Sequence, residues 1–245
     1  MTQELRTLVV TAASIGFLHT LLGPDHYLPF IMMAWARKWS AARTLLITSI
    51  CAVGHIGSSV VLGFVGVAFG LALKGLVGAE SLRGNVAAWL LIAFGLAYLV
   101  WGIRLVYRHH PHQHVHPHPE PHAHLTDAVP PHLHSHAHLG EHSHVHDLDG
   151  GKTITPWVLF VIFVFGPCEP LIPLLMYPAA SSGLLDLIVV TAVFGTATLG
   201  TMLAAVMLGR AGFNSLPFRA IQRYSHALAG ATILLCGLAI QFLGL

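Results

Sequence analysis

Charge is what this chain has least of. Asp, Glu, Lys and Arg make up 9% of its 245 residues, where a soluble domain carries about 25%. Together with a mean hydropathy of +0.70, that excludes an ordinary soluble globule. The net charge is only +2, too small and too scattered for a nucleic-acid surface. Cysteine is scarce as well. Cys51, Cys168 and Cys236 stand in separate apolar runs, an odd, dispersed set that makes no disulfide framework. Each reads by default as a small buried hydrophobe. There is no nucleotide-binding motif and no nucleophile paired with a base, so neither an enzyme nor an organic cofactor is expected.

What is present is apolar sequence in long runs. Segments 44–73, 84–103, 187–209 and 224–245 hold no charged residue, 7–36 holds only Asp25, and 153–185 holds only Glu169. A helix needs about 20 apolar residues to cross the hydrocarbon core. Six transmembrane helices in an all-α membrane protein are therefore expected. The first should be retained, since Glu4 accompanies Arg6 on its flank and no small-residue cleavage site follows. Lys and Arg counts set the orientation. Arg37, Lys38, Arg43, Arg104, Arg108, Lys152, Arg210, Arg219 and Arg223 fall after spans one, three and five; Arg6, Lys74 and Arg83 fall on the other side. The first set belongs in the cytoplasm, which places both termini outside a cytoplasmic (inner) membrane.

The chain reads as two copies of one unit, 1–107 and 153–245, joined by 108–152. At an offset of 143, GPDHYLPFIMM (23–33) falls on GPCEPLIPLLM (166–176), and Thr48, Gly57 and Gly66 fall on Thr191, Gly200 and Gly209. With one deletion, Gly95-Leu96-Ala97 falls on Gly237-Leu238-Ala239, and Gly102 on Gly244. Three helices per copy invert the second copy in the membrane. Inverted repeats with broken helices at matching positions are the plan of secondary transporters, with substrate near the midplane.

The breaks are Gly23-Pro24 in the first span and Gly166-Pro167 in the fourth. Proline removes a backbone donor, and unpaired backbone is tolerated at that depth only against protein or a water-filled cavity. A polar pair follows each break: Asp25-His26 in one copy, Cys168-Glu169 in the other. On this span assignment Asp25 and Glu169 are the only intramembrane carboxylates, and a charge there marks a functional site by default. His19 lies two helical turns before His26, and His55 sits in the second span beside Gly54, Gly57 and Ser58, small residues that let helices approach. His19, Asp25, His26, His55, Cys168 and Glu169 together offer imidazole, thiolate and carboxylate. That mixture suits nickel, cobalt or zinc better than calcium or magnesium.

Between the copies lies a histidine-rich segment. His109, His110, His112, His114, His116, His118, His122, His124, His132, His134, His136, His138, His142, His144 and His146 account for 15 of the 19 histidines. Alternation with Pro, Ala and Ser leaves no core to bury, so disorder is expected. The composition reads as metal capture, on the cytoplasmic side by the charge count.

At these positions the chain resembles the nickel/cobalt transporter superfamily. That family carries His, four residues, then Asp-His; here five residues separate His19 from Asp25-His26. Its next helix has Gly-His followed by small residues and valines, similar to Gly54-His55-Ile56-Gly57-Ser58-Ser59-Val60-Val61. The resemblance implies that His19, Asp25, His26 and His55 form a metal path, and the six-span size with a His-rich loop is similar to the efflux branch. GPCEPLIP (166–173) also looks like the Pro-Cys-x-x-Pro break of the membrane thiol-disulfide transporters of cytochrome c maturation, with one residue fewer. That chemistry needs a cysteine in each repeat, and Cys168 meets Asp25. The expectation is a secondary transporter of nickel or cobalt, efflux favoured over import. A redox or small-anion carrier on the same scaffold, or a zinc importer, is the alternative. The metal ion and the lipid bilayer are the expected partners, and assembly into a homo-oligomer is left open.

Overall fold

A computed structural model of the chain describes residues 2–69, 73–108, 154–168, 170–181, 183–215 and 221–244. The elements are α1 (Gln3–Leu22), a 3-10 turn (Pro24–His26), α2 (Leu28–Ala36), α3 (Ala41–Ala68) and α4 (Leu73–Arg108). After them come α5 (Ile154–Phe165), α6 (Leu171–Ser181), α7 (Leu184–Ser215), a second 3-10 turn (Gln222–Tyr224) and α8 (Ser225–Leu243). Every element among the described residues is helical. Five helical stretches are long and apolar enough to cross a membrane: α1, α3, most of α4, most of α7, and α8 with its preceding turn. Large apolar side chains face outward along them, among them Leu46, Val53 and Val61 on α3, Trp89 on α4 and Leu235 on α8. A surface of that kind belongs in lipid. The chain is an all-α, multi-pass membrane protein.

Local chemistry sets the helix ends. The Thr2 hydroxyl accepts from Leu5 N at 3.2 Å, and Ser40 Oγ accepts from Arg43 N at 3.2 Å, so each caps the helix it precedes. α1 stops where Pro24 has no N–H to give. α2 carries Pro29 in its first turn, where no donor is needed. α5 stops at Gly166-Pro167 in the same way.

α2 is short because it is interior. Seven of its nine residues are buried, and Phe30, Met33 and their neighbours join Leu159, Phe163, Met202 and Ile233 in the main core. α1 packs on α7, α3 on α5, and α4 on α8. Small residues bring α1 close: Ala12, Gly16 and Thr20 form its buried stripe. The α4–α8 crossing is tighter still. A methyl at Gly95 or Gly102 would meet the backbone of Leu234 or Ala227, and one at Gly230 or Gly237 would meet that of Leu99 or Ile92. As α4 advances from 92 to 102, its partner on α8 runs back from 237 to 227, so the two helices are antiparallel.

Two expectations need correction. Gly57, expected at a close helix contact, has no atom within 4 Å of where its Cβ would stand; Gly54 makes the contact, against Phe160 and Val164. The third span begins earlier than residue 84 and takes in Glu80 and Arg83. Glu80 is fully buried, so a carboxylate stands in the third candidate span, while Asp25 falls in the turn just after the first, Gln3–Leu22. Arg83 donates to Glu80 Oε1 at 2.7 Å, and this pairing one helical turn apart keeps a charged stretch inside the helix.

Candidate metal site

The Gly23-Pro24 break folds into one 3-10 turn. Gly23 N donates to His19 O at 3.0 Å and His26 N to Gly23 O at 3.0 Å. The turn shortens the path from His19 to His26 and sets their rings edge to face, centroids 4.8 Å apart. The His55 ring, from the middle of α3, stands 5.2 Å from that of His26. Cys168 arrives from the second break. One ligand atom each of His19, His55 and Cys168 lies within 4.8 Å of the others. Ligand atoms in a closed tetrahedral zinc shell stand about 3.4–3.8 Å apart, given bond lengths near 2.1 and 2.3 Å. An ion held by all three would need them closer by at most about 1 Å.

Burial makes the cluster chemically distinctive. His26 and His55 are buried, Cys168 is completely so, and His19 is half-buried. Yet His19 Nε2, His26 Nε2 and both ring nitrogens of His55 lack a hydrogen-bond partner among the described residues. Each such group costs about 1–3 kcal/mol to leave unmet. A ligand that accepts their lone pairs relieves that cost.

Asp25 stands directly against His26. His26 Nδ1 lies 3.2 Å from Asp25 Oδ1 and 3.1 Å from Gly23 O. Both partners accept, so Nδ1 carries a proton, and in the neutral tautomer Nε2 presents a lone pair. His26 lies between His19 and His55, so a carboxylate that fixes its ring and tautomer would support it as a further ligand. Asp25→Asn should leave the fold intact and weaken metal binding about 10–100-fold. The readout is the thiolate-to-cobalt charge-transfer band on cobalt(II) titration. Residues 109–146 contain no cysteine, so the histidine-rich segment is silent in that band.

Glycine is required at both breaks. A Cβ at Gly23 would stand 2.6 Å from His26 Nδ1, and one at Gly166 would stand 3.1 Å from His55 Nδ1. A cavity of about 600 Å³ is lined by His19, His26 and His55, and by Gly166, Pro167 and Pro170 on either side of the fully buried Cys168. Its walls include both breaks (Gly23, Gly166, Pro167) and the ends of α4 and α8 nearest them. They run from exposed Leu22, Ser81, Asn85 and Gly244 down to buried His26, His55, Leu91 and Phe163.

Five of the six residues singled out in the sequence thus gather at one place. His19, His55 and Cys168 form a triad that could hold an ion, His26 sits between two of them, and Asp25 stands behind His26. Glu169 and the histidines of 109–146 lie outside the described residues. Sequence reasoning missed Arg83, which donates to Val164 O at 2.7 Å beside the second break. It also missed a layer where Arg37 Nε donates to Tyr98 Oη at 3.3 Å and Tyr98 Oη lies 2.8 Å from His226 Nδ1. All three cysteines are free and buried. No family model, curated protein or solved structure matches the chain.

Proposed function

We propose that this protein is a secondary transporter of divalent transition-metal cations, nickel or cobalt foremost, in the cytoplasmic membrane, with efflux as its direction. One observation carries the proposal: His19, His55 and Cys168 bring two imidazoles and a thiol together beside a cavity walled by both Gly-Pro breaks, and His19 Nε2 and both His55 ring nitrogens lack a hydrogen-bond partner among the described residues. Borderline N and S donors select such ions.

The scaffold supports transport rather than storage. On the offset of 143, α1 to α4 correspond to α5 to α8. Packing of α1 on α7 then has its counterpart in α5 on α3, α2 on α8 in α6 on α4, and α2 on α7 in α6 on α3, and each of these contacts is present. At the α4–α8 crossing, Gly95 against Leu234 corresponds to Gly237 against Ile92. These pairings favour two inverted three-helix units that can rock about a shared site. The Lys and Arg asymmetry puts the mouth of the cavity, near Ser81 and Gly244, on the outer side. The histidine-rich segment then lies in the cytoplasm, where it gathers ions for export.

Cobalt titration of the full-length protein in nanodiscs tests the site. A thiolate-to-cobalt band should appear and saturate, and Cys168→Ser should remove it. Cys51→Ser should leave it unchanged, because Cys51 is not among the groups close enough together to share an ion. A redox carrier predicts instead that Cys168→Ser stops electron transfer while cobalt never acquires a thiolate ligand. A wild-type protein without the band would rule out the metal site.

A further inference from the structure

Arg83 is not among the proposed ligands, yet its guanidinium touches three helices. One amino group donates to Glu80 Oε1 at 2.7 Å on its own helix and lies 3.3 Å from Ser59 Oγ on α3. The other donates to Ser58 Oγ at 2.6 Å on α3 and to Val164 O at 2.7 Å on α5, with Gly166 O at 3.4 Å. Those carbonyls end α5, where the helix stops and leaves acceptors without backbone donors. A cation at a helix C-terminus also suits the helix dipole.

The same bonds reach toward the site. Ser58 Oγ donates onward to His55 O at 2.8 Å. Gly166 stands between the α5 carbonyls and Cys168, and a Cβ on it would press on His55 Nδ1 at 3.1 Å. Gly84, next to Arg83, lies so close to Pro167 that a Cβ would come within 2.8 Å of Pro167 Cγ. One planar fork therefore ties the turn of α3 that carries His55 to the end of α5 that leads to Cys168. Glu80 balances its charge, so no net positive charge is added beside a cation site.

We propose that Arg83, anchored by Glu80, is a positioning residue that sets the spacing of His55 and Cys168 and so the site's grip on its ion. The inference rests on the metal-site assignment made above. A guanidinium offers five donors in a rigid plane, whereas an ammonium is a point donor on a flexible stem. Lysine at 83 can keep the bond to Glu80 but cannot hold Ser58 and Val164 together.

The test is cobalt titration of the full-length protein in nanodiscs, for wild type, Arg83→Lys and the paired variant Glu80→Gln/Arg83→Gln. The paired variant removes both charges at once, so no buried charge is left alone if lysine is not tolerated. Each folded variant should bind cobalt about 10–100-fold more weakly, with a weakened thiolate band. Wild-type affinity and band in either folded variant would overturn the positioning role. A wild-type protein that shows no thiolate band would instead overturn the metal site, and this inference with it.

Discussion

Nickel or cobalt flux through reconstituted vesicles should fall at least about 100-fold when His55 is replaced by alanine. His55 sits mid-way along α3, 3% exposed, and neither ring nitrogen has a hydrogen-bond partner among the described residues. Its ring lies beside His26 and Phe163, and it belongs to the ligand triad with His19 and Cys168. Alanine removes one of the three groups that could hold an ion together. Stability should change little. The substitution leaves a cavity, which costs stability, but it also removes two buried polar atoms whose unmet bonds cost about 1–3 kcal/mol each. The variant should therefore reach the membrane folded and inactive. Gly57→Ala, two residues along the same helix, is the matched control. Its methyl enters open space, so flux should stay within about twofold of wild type, the spread usual for an uncoupled surface change. A variant His55→Ala that still transports would remove histidine ligation from the mechanism.

Replacing Gly95 or Gly237 by valine should lower stability by at least about 3 kcal/mol, the upper end of ordinary overpacking. At these two positions the obstacle is the backbone of the facing helix, at Leu234 and at Ile92. Backbone cannot swing aside as a side chain can. The α4–α8 axis is the broadest packing between the two halves, so separating it should loosen the whole bundle. If the halves are copies of one unit, the two substitutions should cost about the same. Gly75→Ala and Gly78→Ala are the controls, since nothing lies within 4 Å of either Cβ position. They should be neutral or stabilising by up to about 1 kcal/mol from helix propensity. Thermal unfolding in one detergent, read by loss of monodisperse protein, checks all four. Stable valine variants would mean that the crossing is not the axis holding the halves together.

Much of the architecture was legible in the sequence because membrane burial leaves a simple signature. Five of the six apolar runs hold a helix long enough to span, and the Gly-Pro pairs mark where α1 and α5 end. His19, Asp25, His26, His55 and Cys168 stood out because polar side chains at that depth need a reason. Their separate roles were not legible. Asp25 and His26 read alike as ligands, and the sequence could not show the 3.2 Å contact between Asp25 Oδ1 and His26 Nδ1. Glu80 and Arg83 interrupt an apolar run, so hydropathy assigns them to a connection. What keeps them inside α4 is the set of carbonyls that Arg83 finds on a helix from the other half of the chain, a contact 81 residues away in sequence. Glycines were equally ambiguous. Gly57 and Gly95 look alike in a helical segment, yet one faces open space and the other a backbone.

The most direct measurement is ion flux by the full-length protein in sealed vesicles, with nickel, cobalt, zinc and copper each offered as an inward and an outward gradient. The expected result is saturable flux of nickel or cobalt that disappears with His55→Ala. Folded wild-type protein that moves none of the four ions in either direction would contradict it.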